Sequence, residues 1–263
     1  MTNIEVVMMK KKFKLSLITL IIAFLSATTA IGESFPKFQI MTEPWIPYQF
    51  EENGEIKGVS VDLLVLMLKR IGSKQTRKDI KMYPWARGYH YTQTIQNTIL
   101  FSTTRTTERE DIFKWVGPIF QNTILLIAKK DRHIKINSPE ELKDYSIGTV
   151  IYDVGEQYMV KLGFTLEQLS RNTAYVNSIR MLEGNRIDMV VMSWGSFSSF
   201  AESCEINPNL FEGVFVVKSD DIYYAFHKDT PDWIIKKFQN AFNELKTDGK
   251  LDELMKKYKS NTK

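Results

Sequence analysis

The chain has 263 residues, enough for one large or two medium domains, and is 43% hydrophobic and 25% charged. That composition excludes a disordered chain, a collagen and a polytopic membrane protein. The net charge of +4 is concentrated in residues 1–32, and the near-neutral remainder lacks the clustered basic face of a nucleic-acid binder.

The amino terminus reads as a secretory signal peptide. Lys10, Lys11, Lys12 and Lys14 form a positive region and Leu15–Leu25 an apolar run. The mostly small residues Ser26 to Gly32 follow, with cleavage expected near Ala30 or Gly32. The run is short for a membrane span. Residues 1–32 are therefore expected to be removed and the mature protein to be periplasmic. Met8 and Met9, directly before the lysines, are alternative starts. Cys204 is the only cysteine, so no disulfide forms within the chain and the core alone must hold the fold.

Strands and helices alternate along the mature chain. Phe38–Met41 reads as a strand, residues 42–48 as a loop with Pro44 and Pro47, and Glu51 to Gly58 as a polar turn. Val61, Leu64, Val65, Leu68 and Ile71 share one helical face, so a helix is expected over Val59–Ile71 with Gly72 as its stop. Ile80–Tyr83 is a short strand and residues 86–97 a helix. Ile99–Phe101 is a strand leading into a Ser/Thr-rich loop, and Ile124–Ala128 is a buried strand. Ser138-Pro139-Glu140-Glu141 has the form of a capping box with proline at the first helical position. Tyr145–Ile151 is a strand, and a helix follows from Gly155 to Leu162. Ala174–Val176 is a strand, Asn177 caps a helix ending at Gly184, Ile187–Met192 is a strand and Trp194 opens a helix. Val214–Val217 and Ile222–Phe226 are strands, and two terminal helices break at Asp248-Gly249. This order implies an α/β fold with helices on both faces of its sheets.

Several segments, in order, resemble one family. They are Glu43-Pro44-Trp45-Ile46-Pro47-Tyr48 after the first strand and Gly58-Val59-Ser60-Val61-Asp62. Ser102-Thr103-Thr104 and Thr107-Glu108-Arg109 follow. Leu182-Glu183-Gly184-Asn185-Arg186-Ile187-Asp188 and Asp248-Gly249-Lys250-Leu251 complete the set. The chain resembles the bacterial extracellular solute-binding proteins of family 3, the amino-acid-type binding proteins of ABC importers. Pro84-Trp85-Ala86-Arg87 is similar to one branch of that family. The resemblance implies a two-lobed periplasmic binding protein fold of type II, each lobe a mixed sheet flanked by helices. Residues 33–122 and 221–263 would form one lobe and 123–220 the other, with crossings near Gln121–Leu125 and Asp220–Tyr223.

The resemblance places Arg109 as the clamp for a ligand carboxylate, because a guanidinium offers two parallel N–H donors. Ser102 and Thr104 would add hydroxyl and backbone contacts, whereas Arg105 lies off the matched position. Trp45, Tyr48, Trp85 and Trp194 fall at predicted strand ends, where ligands of α/β sheets bind. Arg87 is a second candidate anion contact. Two features depart from the family. Ser193 stands where its amino-acid binders carry an aspartate for the ligand ammonium, and the loop after the first strand of the second lobe reads Tyr152-Asp153-Val154-Gly155. Either Asp153 or Glu43 replaces that aspartate or the ligand has no α-amino group.

The leading expectation is a monomeric binding protein that performs no chemistry and serves a membrane permease. It takes a small carboxylate-bearing solute, no cofactor and no nucleic acid. The alternatives are a periplasmic enzyme similar to the cyclohexadienyl dehydratases, with Glu43 or Asp153 as general acid, and a soluble sensor docking on a membrane receptor. The three histidines and single cysteine form no metal-ligand pattern, and no phosphate-binding glycine loop or serine elbow is present.

Overall fold

The computed structural model describes residues 35–259; the expected signal peptide and its cleavage site lie outside them. After β1 (Gln39–Thr42), a loop leads to β2 (Phe50–Glu52), β3 (Glu55–Lys57), α1 (Val59–Arg70), β4 (Ile80–Met82), α2 (Trp85–Thr94) and β5 (Thr98–Thr104). β6 (Phe113–Lys129) carries the chain into β7 (Ile147–Val150), α3 (Val154–Lys161), β8 (Leu169–Asn172), α4 (Tyr175–Glu183), β9 (Met189–Ser193) and α5 (Trp194–Ser203). β10 (Phe211–His227) brings it back to α6 (Asp232–Thr247) and α7 (Lys250–Lys259). No helix among the described residues is long and apolar enough to cross a membrane.

Eight strands form one mixed sheet in the order β4-β1-β5-β10-β6-β9-β7-β8, with β2 and β3 a separate hairpin. β5 is buried along its whole length, as a strand covered by helices on both faces must be. β6 and β10 have 17 residues each and pair antiparallel along their length. Near one end β10 pairs with β5 through Ile222–Phe226, and near the other β6 pairs with β9 through Ile124–Ile127. The long ribbon therefore joins a first half (β4, β1, β5) to a second half (β9, β7, β8). The sheets expected separately in each half are continuous because this ribbon's ladder runs through both. Ile124–Ala128, Val214–Val217 and Ile222–Phe226 are pieces of the two long strands.

Helix α6 buries one stripe, whereas α1 is buried on every face from Val59 to Leu64. In α6, Ile234, Phe238, Ala241, Phe242 and Leu245 are buried at helical spacing, each large side chain contributing about 1.5–3 kcal/mol. One core cluster runs from Met41, Trp85 and Leu100 of the first half to Tyr175, Ile179 and Phe197 of the second.

Four expectations need correction. Glu51 to Gly58 is mostly hairpin, turning at Asn53 (φ 54°) and Gly54 (φ 76°), the Asn-Gly pair that suits such a turn. Ser102 to Thr104 belongs to β5, with Ser102 at φ 60°. The strand expected at Ala174–Val176 is instead Leu169–Asn172, and Asn177 lies inside α4, whose N-cap is Ala174. Parallel pairing of Leu169–Asn172 with β7 and burial of Tyr175, Ile179 and Leu182 on one helical face outweigh the strand preference of Tyr175 and Val176. The Ser138 segment is a short 3-10 helix, Pro139–Asp144, without a Ser138 side-chain cap; Glu141 accepts instead from the Asn137 N–H at 3.0 Å.

Candidate functional site

The carboxyl ends of β1, β5, β7 and β9 open toward a cleft between the halves, and the loops there bring side chains from distant parts of the chain together. Of the eleven candidates, Glu43, Trp45, Trp85, Ser102, Thr104 and Arg109 line it from the first half. Asp153 and Ser193 line it from the second. Tyr48, Arg87 and Trp194 lie off it. Tyr48 stacks on Phe120 at 3.7 Å. Arg87 is exposed and donates to Tyr91 Oη at 3.1 Å, its guanidinium 4.8 Å from the Tyr83 ring centroid. Trp194 packs on Phe197 at the surface.

Arg109 ends the 3-10 turn Thr107–Arg109 and is fully buried. It donates from Nη1 to the Thr104 carbonyl at 3.1 Å and from Nη2 to the Tyr152 carbonyl at 2.9 Å. Its guanidinium lies 5.5 Å from the Trp85 ring centroid and 5.0 Å from that of Tyr89, a cation–π cage that holds it flat. Nε is buried without a partner. No described carboxylate lies at ion-pair distance. Arg105, by contrast, pairs with Glu110 near the surface.

The Tyr152 carbonyl also accepts from Trp85 Nε1 at 3.0 Å, so two first-half donors grip one second-half atom. Tyr152 sits at φ 64°, a left-handed conformation that costs a tyrosine strain. Its ring stacks on Tyr89 at 5.8 Å, and its N–H donates to Glu156 at 3.1 Å. Arg171 holds Glu156 at 2.6 Å.

The two cleft acids differ. Asp153 is the N-cap of α3 and accepts from the Gly155 N–H at 3.0 Å. Burial pushes its carboxyl up, while Arg109, the Gly155 N–H and a hydrogen bond with Tyr175 pull it back. The Glu43 side chain has no hydrogen-bond or ion-pair partner among the described residues. Burial first, and the Asp153 charge second, push its carboxyl well above the ordinary range. Ser193 caps α5: its Oγ accepts from the Ser196 N–H at 3.2 Å and donates to Ser196 Oγ at 2.8 Å. The Ser102 hydroxyl donates to Gln49 Oε1 at 2.6 Å.

Sequence reasoning missed Tyr175, Ser196, Asn122 and Met192, which also line the cleft. Ser196 carried a signal, three residues after a helix-opening serine. Tyr175 carried none, because the sequence of its segment reads as a strand.

The cavity these groups enclose is about 20 Å³, close to the room needed for one water. A groove of about 920 Å³ lies beyond Trp45, between the β2–β3 hairpin and α5. Its main charges satisfy one another. Asp62 takes Arg77 at 2.7 Å, Lys257 at 3.0 Å and the Tyr258 hydroxyl at 2.7 Å, and Lys57 takes Glu52 at 2.7 Å. Of the buried donors without a partner among the described residues, Arg109 Nε and Trp45 Nε1 belong to cleft residues and none belongs to the lining of the groove, so the smaller cavity is the candidate site.

The model of the bacterial extracellular solute-binding proteins, family 3, matches residues 39–261. The arginine-binding extracellular protein ArtP of Bacillus subtilis (strain 168) is 24% identical over 264 residues, spanning 94% of this chain and 98% of that protein. A histidine kinase sensor domain with similarity to periplasmic binding proteins superposes with a TM-score of 0.73 at 14% identity, covering 86% of this chain and 97% of its own. An ancestral arginine-binding protein bound to arginine gives 0.71 at 21% identity, covering 86% and 99%. These two likenesses show the shared two-lobed fold.

Proposed function

This chain belongs to the bacterial extracellular solute-binding proteins, family 3, and from that premise we propose that it captures a small amino-acid-like solute by its carboxylate for the membrane permease of an ABC importer. One observation carries the reading. Arg109 is a fully buried cation in the cleft whose acceptors are two backbone carbonyls. A buried charge without a counter-charge in contact is costly, and a ligand carboxylate supplies one in the geometry a guanidinium favours. Arg109 Nε and Trp45 Nε1 add donors for ligand oxygens. Glu43 and Asp153 supply negative charge for a cationic group. The relative ArtP is an arginine-binding protein, and arginine carries both kinds of group.

In this reading the protein is a secreted or periplasmic monomer whose signal peptide is cleaved near Ala30 or Gly32. The lobes, residues 33–122 with 221–263 and residues 123–220, close by a hinge motion at Gln121–Leu125 and Asp220–Tyr223. These crossings pair with each other, Asn122 opposite Asp220, so they bend as one ribbon. A panel of amino acids, opines and aromatic acids tests the function by melting temperature. A true ligand at 100 times its dissociation constant adds about 2.7 kcal/mol of stability. No response to any carboxylate in the panel would overturn the reading.

A second reading rests on Glu43. A carboxyl held above its usual range is what a general acid needs, as in a cyclohexadienyl dehydratase-like enzyme. Loss of water from a cyclohexadienyl acid, followed by mass spectrometry, distinguishes the two.

A further inference from the structure

The two cleft acids come from opposite halves and meet in one small cavity. Glu43 follows β1 in the first half; Asp153 opens α3 in the second. Asp153 is committed to the protein. It accepts from the Gly155 and Val154 N–H groups and from Tyr175, and it feels the Arg109 charge. Glu43 has none of these supports. The charged and titratable groups around it in the cavity are Asp153, Tyr175 and Arg109. Tyr175 is engaged with Asp153 and Arg109 with two carbonyls.

We propose that Glu43 is the residue that selects the ligand's cationic group, and that it gives up a proton to solvent when that group arrives. The inference rests on the function proposed above and adds the mode of recognition. Two carboxylates that line one small cavity cannot both ionise cheaply. The one with more donors keeps the charge, which is Asp153, and the proton sits on Glu43, in line with the upward push of its carboxyl. A ligand cation beside Glu43 reverses that balance, and the cavity exchanges a proton for the cation. A carboxylate without a cationic group has nothing to exchange and meets two acids instead. Asp153 and Glu43 act as a pair in this cleft, where Ser193 carries no charge.

The test is calorimetry on the mature chain with L-arginine, L-glutamine and glutarate. Each is run in two buffers of equal pH and different ionisation enthalpy. L-arginine or L-glutamine should bind with a buffer-dependent heat equivalent to as much as one proton released. Its affinity should rise with pH from the ordinary carboxylate range upward, by up to about tenfold per unit. The sign follows from the raised Glu43 carboxyl: below its folded-state value the proton must be expelled before the cation is held. Glutarate should bind at least about tenfold more weakly. Glu43→Gln, close in shape to the native side chain, should remove both the proton release and the pH slope. Asp153→Asn should move the slope to lower pH. If Glu43→Gln fails to fold, the proton count on the native chain still decides. Amino-acid binding with buffer-independent heat, or with the same pH profile in Glu43→Gln, would overturn this proposal and leave the binding function standing. Failure of all three probes and of the wider panel would overturn both.

Discussion

At the scale of single residues, the cleft separates groups that serve the fold from groups left without a protein partner. Arg109 combines full burial, an aromatic cage and an unsatisfied Nε. Arg109→Lys keeps the charge and loses the fork, so amino-acid affinity should fall by about 2 kcal/mol or more, read by calorimetry. Arg105→Ala breaks only the pair with Glu110 near the surface and should leave affinity within about twofold. That Arg109 lines the cleft was legible in the sequence, because its family motif carried the position. The different states of Glu43 and Asp153 were not, since a carboxylate's partners are set by the folded surroundings rather than by spacing. Arg87 lies off the cleft: its motif suggested a position there, but Tyr83 ahead of α2 and Tyr91 one turn on flank its side chain at the surface.

At the scale of elements, helix starts position the site. Ser193 spends its hydroxyl on the first turn of α5. Ser193→Ala should therefore cost about 1 kcal/mol in denaturant unfolding with little change in ligand affinity; a large loss of affinity with unchanged stability would contradict the capping role. Gly58 precedes α1 at φ 124°, and a Cβ there would lie 2.3 Å from the Tyr48 carbonyl oxygen. Gly58→Ala should destabilise by about 1–3 kcal/mol or more, seen as a lower melting temperature. Long periodic helices such as α1 and α6 were readable because their apolar stripes repeat. The hairpin turning at Asn53-Gly54 carried a signal that polarity masked. The strand at Leu169–Asn172 gave only Leu169 as an apolar residue, so its pairing with β7 decided it. The 17-residue strands appeared as fragments because in their middles Gln121, Asn122 and Asp220 interrupt the apolar pattern.

For the whole molecule, the node at Asp62 ties α1 to α7 and to Arg77 ahead of β4. Burial alone would raise the Asp62 carboxyl, but Tyr258, Arg77 and Lys257 together hold it below the ordinary value. A depressed acid contributes stability above its unfolded value, near pH 3.9, and that stability is lost as pH falls through the folded value. Asp62→Asn should cost on the order of 2 kcal/mol at neutral pH and flatten the acid limb of a melting-temperature curve. The clasp on the Tyr152 carbonyl by Trp85 and Arg109 has a kinetic consequence. It joins the halves through protein atoms alone and occupies one of the donors a carboxylate would use, so every capture must wait for it to let go. In stopped-flow traces with L-arginine, the observed rate should therefore level off at high concentration instead of climbing linearly, the signature of an opening step that precedes binding. Trp85→Phe keeps an aromatic ring and deletes the indole N–H, and it should raise that plateau.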